Sequence, residues 1–422
     1  MHPKTLAIQA GYDKAQGEKS IAVPIYQTTA YKFDNTEHGA NLFNLTELGN
    51  IYTRIMNPTT SVFEQRIAAL EEGAGALACA SGMSAIFYVI ANLAQNGENI
   101  IATTQLYGGT LNQFIHTLSR FGIEVRFFDG NRPQDARALI DERTRALFFE
   151  SLTNPSIDVP EIDTLTGIAD EYGIVSIVDN TVATPVICRP IVYGADVVVH
   201  SASKYIGGQG LSIGGVIIER AGLREKLRSN ARYPHFNTPD SSYHGLVYVD
   251  APLPPFILRA RLALLRDIGA TLSPFDSWLF VQGIETLNVR MKEHSYNALE
   301  VARWLVKHPK VRAVYYPGLS EDKNHTNAKK YFTEGLFSGL LSFEVGDFEL
   351  ARQIADRVRI FTLATNIGDT KSIITHSAST THRQVSEEGL KKAGVTPGLI
   401  RLSIGLEDSR DLIEDLAQAI DG

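Results

Sequence analysis

Six short apolar runs, at residues 100–103, 125–128, 146–149, 174–178, 196–199 and 215–218, punctuate the middle of the chain, with helical spacing between them, as at 162–172. Runs this short and this continuously apolar read as strands buried on both faces. Parallel strands need long crossover connections, so the intervening helices must cover the sheet. The pattern constrains the chain to an α/β fold with a mostly parallel sheet. A helix at 63–72, with Phe63, Ile67 and Leu70 on one face, precedes the runs. Beyond residue 266 the pattern changes to a long helical stretch at 274–307, strands near 313–316 and 340–345, and a closing helix at 409–420. Three zones follow: an arm at 1–62, a large sheet domain at 63–265 and a smaller α/β domain at 266–422. The first zone has many turn formers and little periodicity, which is uncommon inside a compact fold and suits a segment that orders against something else.

Open parallel sheets place ligands at the carboxyl ends of their strands. One such end carries Asp179-Asn180-Thr181, and another leads through His200-Ser201-Ala202-Ser203-Lys204 into a glycine-rich loop. A lysine amine forms a Schiff base with an aldehyde cofactor. Pyridoxal 5'-phosphate (PLP) also needs an acid opposite its ring nitrogen and donors around its phosphate. Lys204, Asp179 and the Ser201/Ser203 hydroxyls supply all three kinds of group. A lone lysine is ordinarily a solvated surface charge; the strand-end context of both motifs favours the cofactor.

Other segments fit the same site. Ser81 suits a helix N-cap, and Met83, Ile86, Ile90 and Leu93 continue at helical spacing to a stop at Asn96-Gly97. The free amides of Gly82 and Met83 at that helix start would form an anion site, although a capped core helix reads the same way. The nearby run from Gly73 to Ala78 mimics a dinucleotide fingerprint, but it follows a helix where the true motif follows a strand. Tyr107, in Tyr107-Gly108-Gly109, could stack on a flat ring or simply half-bury at a turn. Pro155 holds Asn154 at the sheet edge in an extended exit. Arg401 lies in an apolar run and needs a partner, either an internal carboxylate or that of an amino-acid substrate.

The composition is that of a globular protein, with 44% hydrophobic and 21% charged residues and a net charge of −7. The basic residues do not cluster, which gives nucleic-acid binding no support. Two cysteines, Cys79 and Cys188, without metal spacing indicate neither a disulfide framework nor a metal site. No stretch reaches a membrane span and the start lacks a signal-peptide core, so the expectation is a soluble, cytoplasmic protein without membrane partners.

The ordered set of motifs from Tyr52-Thr53-Arg54 and Asn57-Pro58, through Ser81-Gly82-Met83, Tyr107-Gly108-Gly109, Asn154-Pro155, Asp179-Asn180-Thr181 and Ser201-Ala202-Ser203-Lys204, to Arg401-Leu402-Ser403 resembles the Cys/Met-metabolism PLP-dependent enzymes, the cystathionine γ-synthase-like family. The resemblance covers nearly the whole chain. It implies PLP fold type I, the aspartate aminotransferase-like architecture, and a homotetramer built as a dimer of dimers. It further implies that Tyr52 and Arg54 reach the neighbouring subunit's cofactor phosphate and that Tyr107 stacks on the cofactor ring. Arg401, Asn154 and Asn366 would bind substrate. Residues 43–54, 240–247, 265–270 and 366–372 resemble the O-acetylhomoserine sulfhydrylase branch best. That branch implies replacement of the acetyl group of O-acetyl-L-homoserine by sulfide, or by a sulfide-delivering donor, giving L-homocysteine and acetate. Cystathionine γ-synthase and γ-lyase activities share the scaffold and stand as alternatives. A dinucleotide oxidoreductase, or a relative that has lost PLP, is the alternative of another class.

Overall fold

A computed structural model of the protein describes residues 1–15, 19–380 and 396–422. Its centre is a seven-stranded sheet made of β1 (Gly73–Cys79), β2 (Asn99–Thr103), β3 (Glu124–Phe128), β4 (Thr144–Glu150), β5 (Val175–Asp179), β6 (Val197–Ser201) and β7 (Gly215–Arg220). The order is β1-β7-β6-β5-β4-β2-β3. From β6 to β3 every pairing is parallel, whereas β7 runs antiparallel to both β6 and β1. All six expected strands are present, and β1 is an addition. Its Gly-Ala-Gly-Ala sequence has little β-propensity. Pairing along β7 and burial of Leu77, Ala78 and Cys79 make it a strand. The fingerprint-like glycines therefore lie within an edge strand, where they build no phosphate loop.

Apolar residues alternate between the two faces. Leu147 and Phe149 pack into one core cluster while Ala146 and Phe148 pack into the other. Burial on both faces explains why the strands read as continuous apolar runs. The helix expected from Phe63 begins at Pro58, with Asn57 as N-cap and its side-chain Oδ1 accepting the Thr59 N–H at 2.9 Å. The helix behind Ser81 spans Gly82–Ala91, short of the stop expected at Asn96-Gly97, because Asn92 already caps it.

The C-terminal part carries a second, five-stranded sheet of β8 (Val311–Tyr315), β9 (Leu340–Val345), β10 (Thr362–Leu363), β11 (Ile373–His376) and β12 (Leu399–Ser403), in the order β10-β11-β12-β9-β8. Its core packs against the C-terminal half of the long helix Pro274–Lys307 and the closing helix Ser409–Asp421. The pair of sheets is the architecture expected of PLP fold type I. Among the described residues no helix is long and apolar enough to cross a membrane.

Candidate active site

The carboxyl ends of β4, β5 and β6 floor a cavity of about 240 Å³, whose lining includes Ser81, Gly82, Met83, Asp179, Ser201 and Lys204. A wider cleft of about 750 Å³ adjoins it, with Asn366 and Gly109 in its wall. Tyr107, Asn154, Ser203, Lys204 and Arg401 line both, so the two form one site.

Parallel pairing sets Asp179 at the end of β5 and Ser201 at the end of β6. Thr181 joins the two ends, donating its N–H to Asp179 Oδ1 at 3.0 Å and accepting the Ser201 N–H on its hydroxyl at 2.8 Å. Burial raises the Asp179 carboxyl above its ordinary value, while the Thr181 hydrogen bonds and the His200 charge pull it back. Beneath it lies a buried polar network. His200 Nε2 meets Glu71 Oε1 at 2.7 Å, and Asn180 Nδ2 donates to the same oxygen at 2.8 Å. Ser151 donates to Asn180 Oδ1 at 2.7 Å, which locks the ends of β4, β5 and β6 in register.

Lys204 sits in the turn after β6, and its Nζ donates to Asn366 Oδ1 at 2.7 Å. Burial first, and the Arg401 charge second, hold its amine below the ordinary lysine value. An amine less costly to deprotonate is suited to attack on a carbonyl and to proton transfer.

Arg401 projects from β12, lines the same cleft and is 5% exposed. Its Nη1 donates to Asn154 Oδ1 at 3.1 Å, and its Nη2 to Thr375 Oγ1 at 3.0 Å and the Asn366 carbonyl at 3.2 Å. Its Nε has no acceptor, and among the described residues no carboxylate pairs with it. Burial brings the guanidinium down to about 10. A buried cation costs several kcal/mol without a counter-charge. Neutral hydrogen bonds return only about 1 kcal/mol each. The imbalance leaves this guanidinium able to receive an anion.

The donor set also fits PLP. Ser81 caps the helix Gly82–Ala91, taking the Ser84 N–H at 3.0 Å, so the amides of Gly82 and Met83 are left without intrahelical acceptors. A Cβ on Gly82 would lie 2.7 Å from Ser201 Cβ, so only glycine lets the helix start approach the Ser201–Lys204 turn. Phosphate donors, a buried acid and an amine thus surround one cavity.

Tyr107 opens the helix Gly108–Asn112 and is half exposed into the cleft. Ser203 exchanges hydrogen bonds with Gly214, its hydroxyl accepting the Gly214 N–H at 2.9 Å. Tyr52 and Arg54 stand apart. Neither lines the cleft; the Arg54 guanidinium lies over the Tyr52 ring at 5.5 Å and donates to the Arg266 carbonyl. Three polar residues lining the smaller cavity were assigned no role from the sequence: Glu150, Thr181 and Thr365. Thr181 was visible as the third residue of its motif, whereas nothing in the sequence marks Thr365.

A family model for Cys/Met metabolism PLP-dependent enzymes matches residues 4–421. The chain is 46% identical to an O-acetyl-L-homoserine sulfhydrylase of Leptospira meyeri, covering 99% of this chain and 96% of the relative. It is 44% identical to O-acetyl-L-homoserine sulfhydrylase 1 of Thermus thermophilus, covering 100% of each. A Campylobacter jejuni crystal structure bearing the name O-acetylhomoserine (thiol)-lyase, with N'-pyridoxyl-lysine-5'-monophosphate in its chain, superposes with a TM-score of 0.98 at 51% identity over 100% of both chains. The chain belongs to the Cys/Met metabolism PLP-dependent enzyme family.

Proposed function

We propose that the protein replaces the acetyl group of O-acetyl-L-homoserine by sulfide, releasing L-homocysteine and acetate. The observation that carries this reading is the buried Arg401, which has no carboxylate partner among the described residues and shares Asn366 as a hydrogen-bond partner with Lys204, a layout suited to a substrate that is itself an amino acid. The relatives' names point to the same substrate.

PLP, when bound, supplies a carbonyl for an amine and a protonated ring that draws electrons from the substrate's Cα–H bond. Lys204 would hold its carbonyl carbon, and Gly82, Met83, Ser201 and Ser203 its phosphate. Asp179 would keep a proton on the ring nitrogen, and Asn154 would hold the ring oxygen. Arg401, with Asn154 and Asn366, holds the substrate carboxylate and so fixes which Cα hydrogen faces Lys204. The Lys204 amine would take that proton and then one from Cβ as acetate leaves Cγ, and would return one proton to Cβ and one to Cα after sulfide has added at Cγ. Tyr107 covers the ring. Tyr52 and Arg54 complete the phosphate site of a neighbouring subunit within a homotetramer, the dimer of dimers, in the cytoplasm. In this reading residues 1–62 are the exchanged arm, 63–265 the cofactor domain and 266–422 the substrate-side domain.

The test is a steady-state assay of O-acetyl- and O-succinyl-L-homoserine, each with sulfide, cysteine or methanethiol. Homocysteine and acetate from the acetyl ester and sulfide are expected. Cystathionine from cysteine as the dominant product, or an α-keto acid and ammonia, would overturn the reading.

A further inference from the structure

Glu150 is a buried acid that the mechanism above does not use. It ends β4, is 4% exposed, and stands directly beside Asp179 in the β4–β5 register. Among the described residues it forms no ion pair. Its two oxygens are both engaged: Oε1 accepts the Tyr107 N–H at 2.5 Å and Oε2 the Asn154 N–H at 3.2 Å. These amides belong to two loops, one after β2 and one after β4, and Glu150 accepts from both. Through Tyr107 the first loop sets the ring-covering side of the cleft. Through Asn154, whose Oδ1 accepts Arg401 Nη1 at 3.1 Å, the second sets the substrate-carboxylate side.

Two N–H donors converging on one side chain require an acceptor on both of its branches. A glutamine offers one oxygen and turns an NH₂ toward the other amide, so only a carboxyl group of this length serves both. The arrangement is costly: burial, then the neighbouring Asp179 charge, push the Glu150 carboxyl well above the ordinary range. A residue needed only to fill space at this position would be apolar.

We infer that Glu150 is a positioning residue that clamps the Tyr107 and Asn154 loops to each other and thereby aligns the ring-covering and carboxylate-binding walls of the cleft. The inference rests on the reading of the cleft given under Proposed function.

The test compares Glu150→Gln and Glu150→Ala with the wild-type holoenzyme in three measurements: KM and kcat for O-acetyl-L-homoserine, thermal unfolding, and amide hydrogen exchange of peptides covering 104–112 and 151–156. Glu150→Gln, the isosteric variant, decides if Glu150→Ala fails to fold. The expected result is a KM raised about ten-fold or more, the loss expected for one hydrogen bond to a charged group, with a smaller fall in kcat. Exchange should quicken in at least one of the two peptides for Glu150→Gln and in both for Glu150→Ala. A lowered melting temperature with wild-type KM and wild-type exchange in both peptides would overturn the inference. Exchange is also read on the cofactor-free chain. If the wild-type protein fails to turn over the ester, the substrate reading falls while the exchange data still judge the clamp.

Discussion

In the cleft most polar side chains meet a partner from their own chain, whereas the segment that precedes Asn57 buries Ala7, Val23, Leu42 and Ile51 but leaves other apolar side chains exposed. Asp179, Thr181 and Ser201 bond to one another, Lys204 to Asn366, and Arg401 to Asn154 and Thr375. Asn57 ties down part of the N-terminal segment, its Nδ2 donating to the Tyr26 carbonyl, the Tyr31 hydroxyl and the Thr53 hydroxyl, and Thr59 holds the Pro24 carbonyl and the Tyr26 N–H. The segment leaves Ile21, Tyr26, Leu48 and Tyr52 exposed. A floor that needs geometric precision is built from strand ends whose register is fixed by a sheet. An arm carrying apolar side chains to the surface has burial still to gain, and a second subunit is the partner that would supply it. On the function proposed above, chemistry and completion of the site are assigned to separate parts of the chain.

The floor can be broken most severely at Lys204. Lys204→Ala removes both the cofactor tether and the proton carrier, and turnover should fall about a thousand-fold or more. Its fold, and part of its PLP affinity, should persist, because the phosphate donors lie on other residues. Steady-state rates and a PLP binding titration check both halves.

Asp179→Asn comes next. An amide cannot hold the ring-nitrogen proton, and the expected loss in kcat is on the order of a hundred-fold or more, as for other electrostatic catalytic groups. Near-normal turnover would reduce Asp179 to a structural role.

Arg401→Ala follows. It removes a charge-assisted contact with the substrate carboxylate, so KM for O-acetyl-L-homoserine should rise roughly ten- to a hundred-fold, with PLP affinity little changed. An unchanged KM would show that the guanidinium serves the fold alone.

How far this division could be read beforehand differs between the two regions. The floor was legible because buried parallel strands announce themselves as apolar runs, and the reactive residues follow at their ends. Lys204 and Asp179 were thereby placed with no knowledge of contacts. Strand β1 escaped, since Gly73–Cys79 becomes a strand only by pairing with β7. Glu150 directly follows the apolar run 146–149, but its two loop amides lie 43 and 4 positions away in sequence, and no local pattern links them. For Arg401, the choice between an internal and a substrate carboxylate needed the three-dimensional absence of a partner among the described residues. The arm gave only a negative signal, its lack of periodicity.

The smallest expected effect belongs to the arm. Arg54→Ala should leave kcat near wild type at saturating PLP and weaken PLP retention about ten-fold, consistent with loss of one charge-assisted phosphate contact. Dialysis followed by activity with and without added PLP measures it.

The division of labour itself is tested most directly by mixing the Arg54→Ala and Lys204→Ala proteins at limiting PLP, under conditions where subunit exchange is demonstrated. If the arm serves the neighbouring site, a hybrid dimer has one site with both lesions and one with neither, by the two-fold symmetry of such interfaces. Activity should then return, up to about one intact site per hybrid dimer. Exchange without any recovery would mean that Arg54 acts within its own chain, and the account of a shared site would be contradicted.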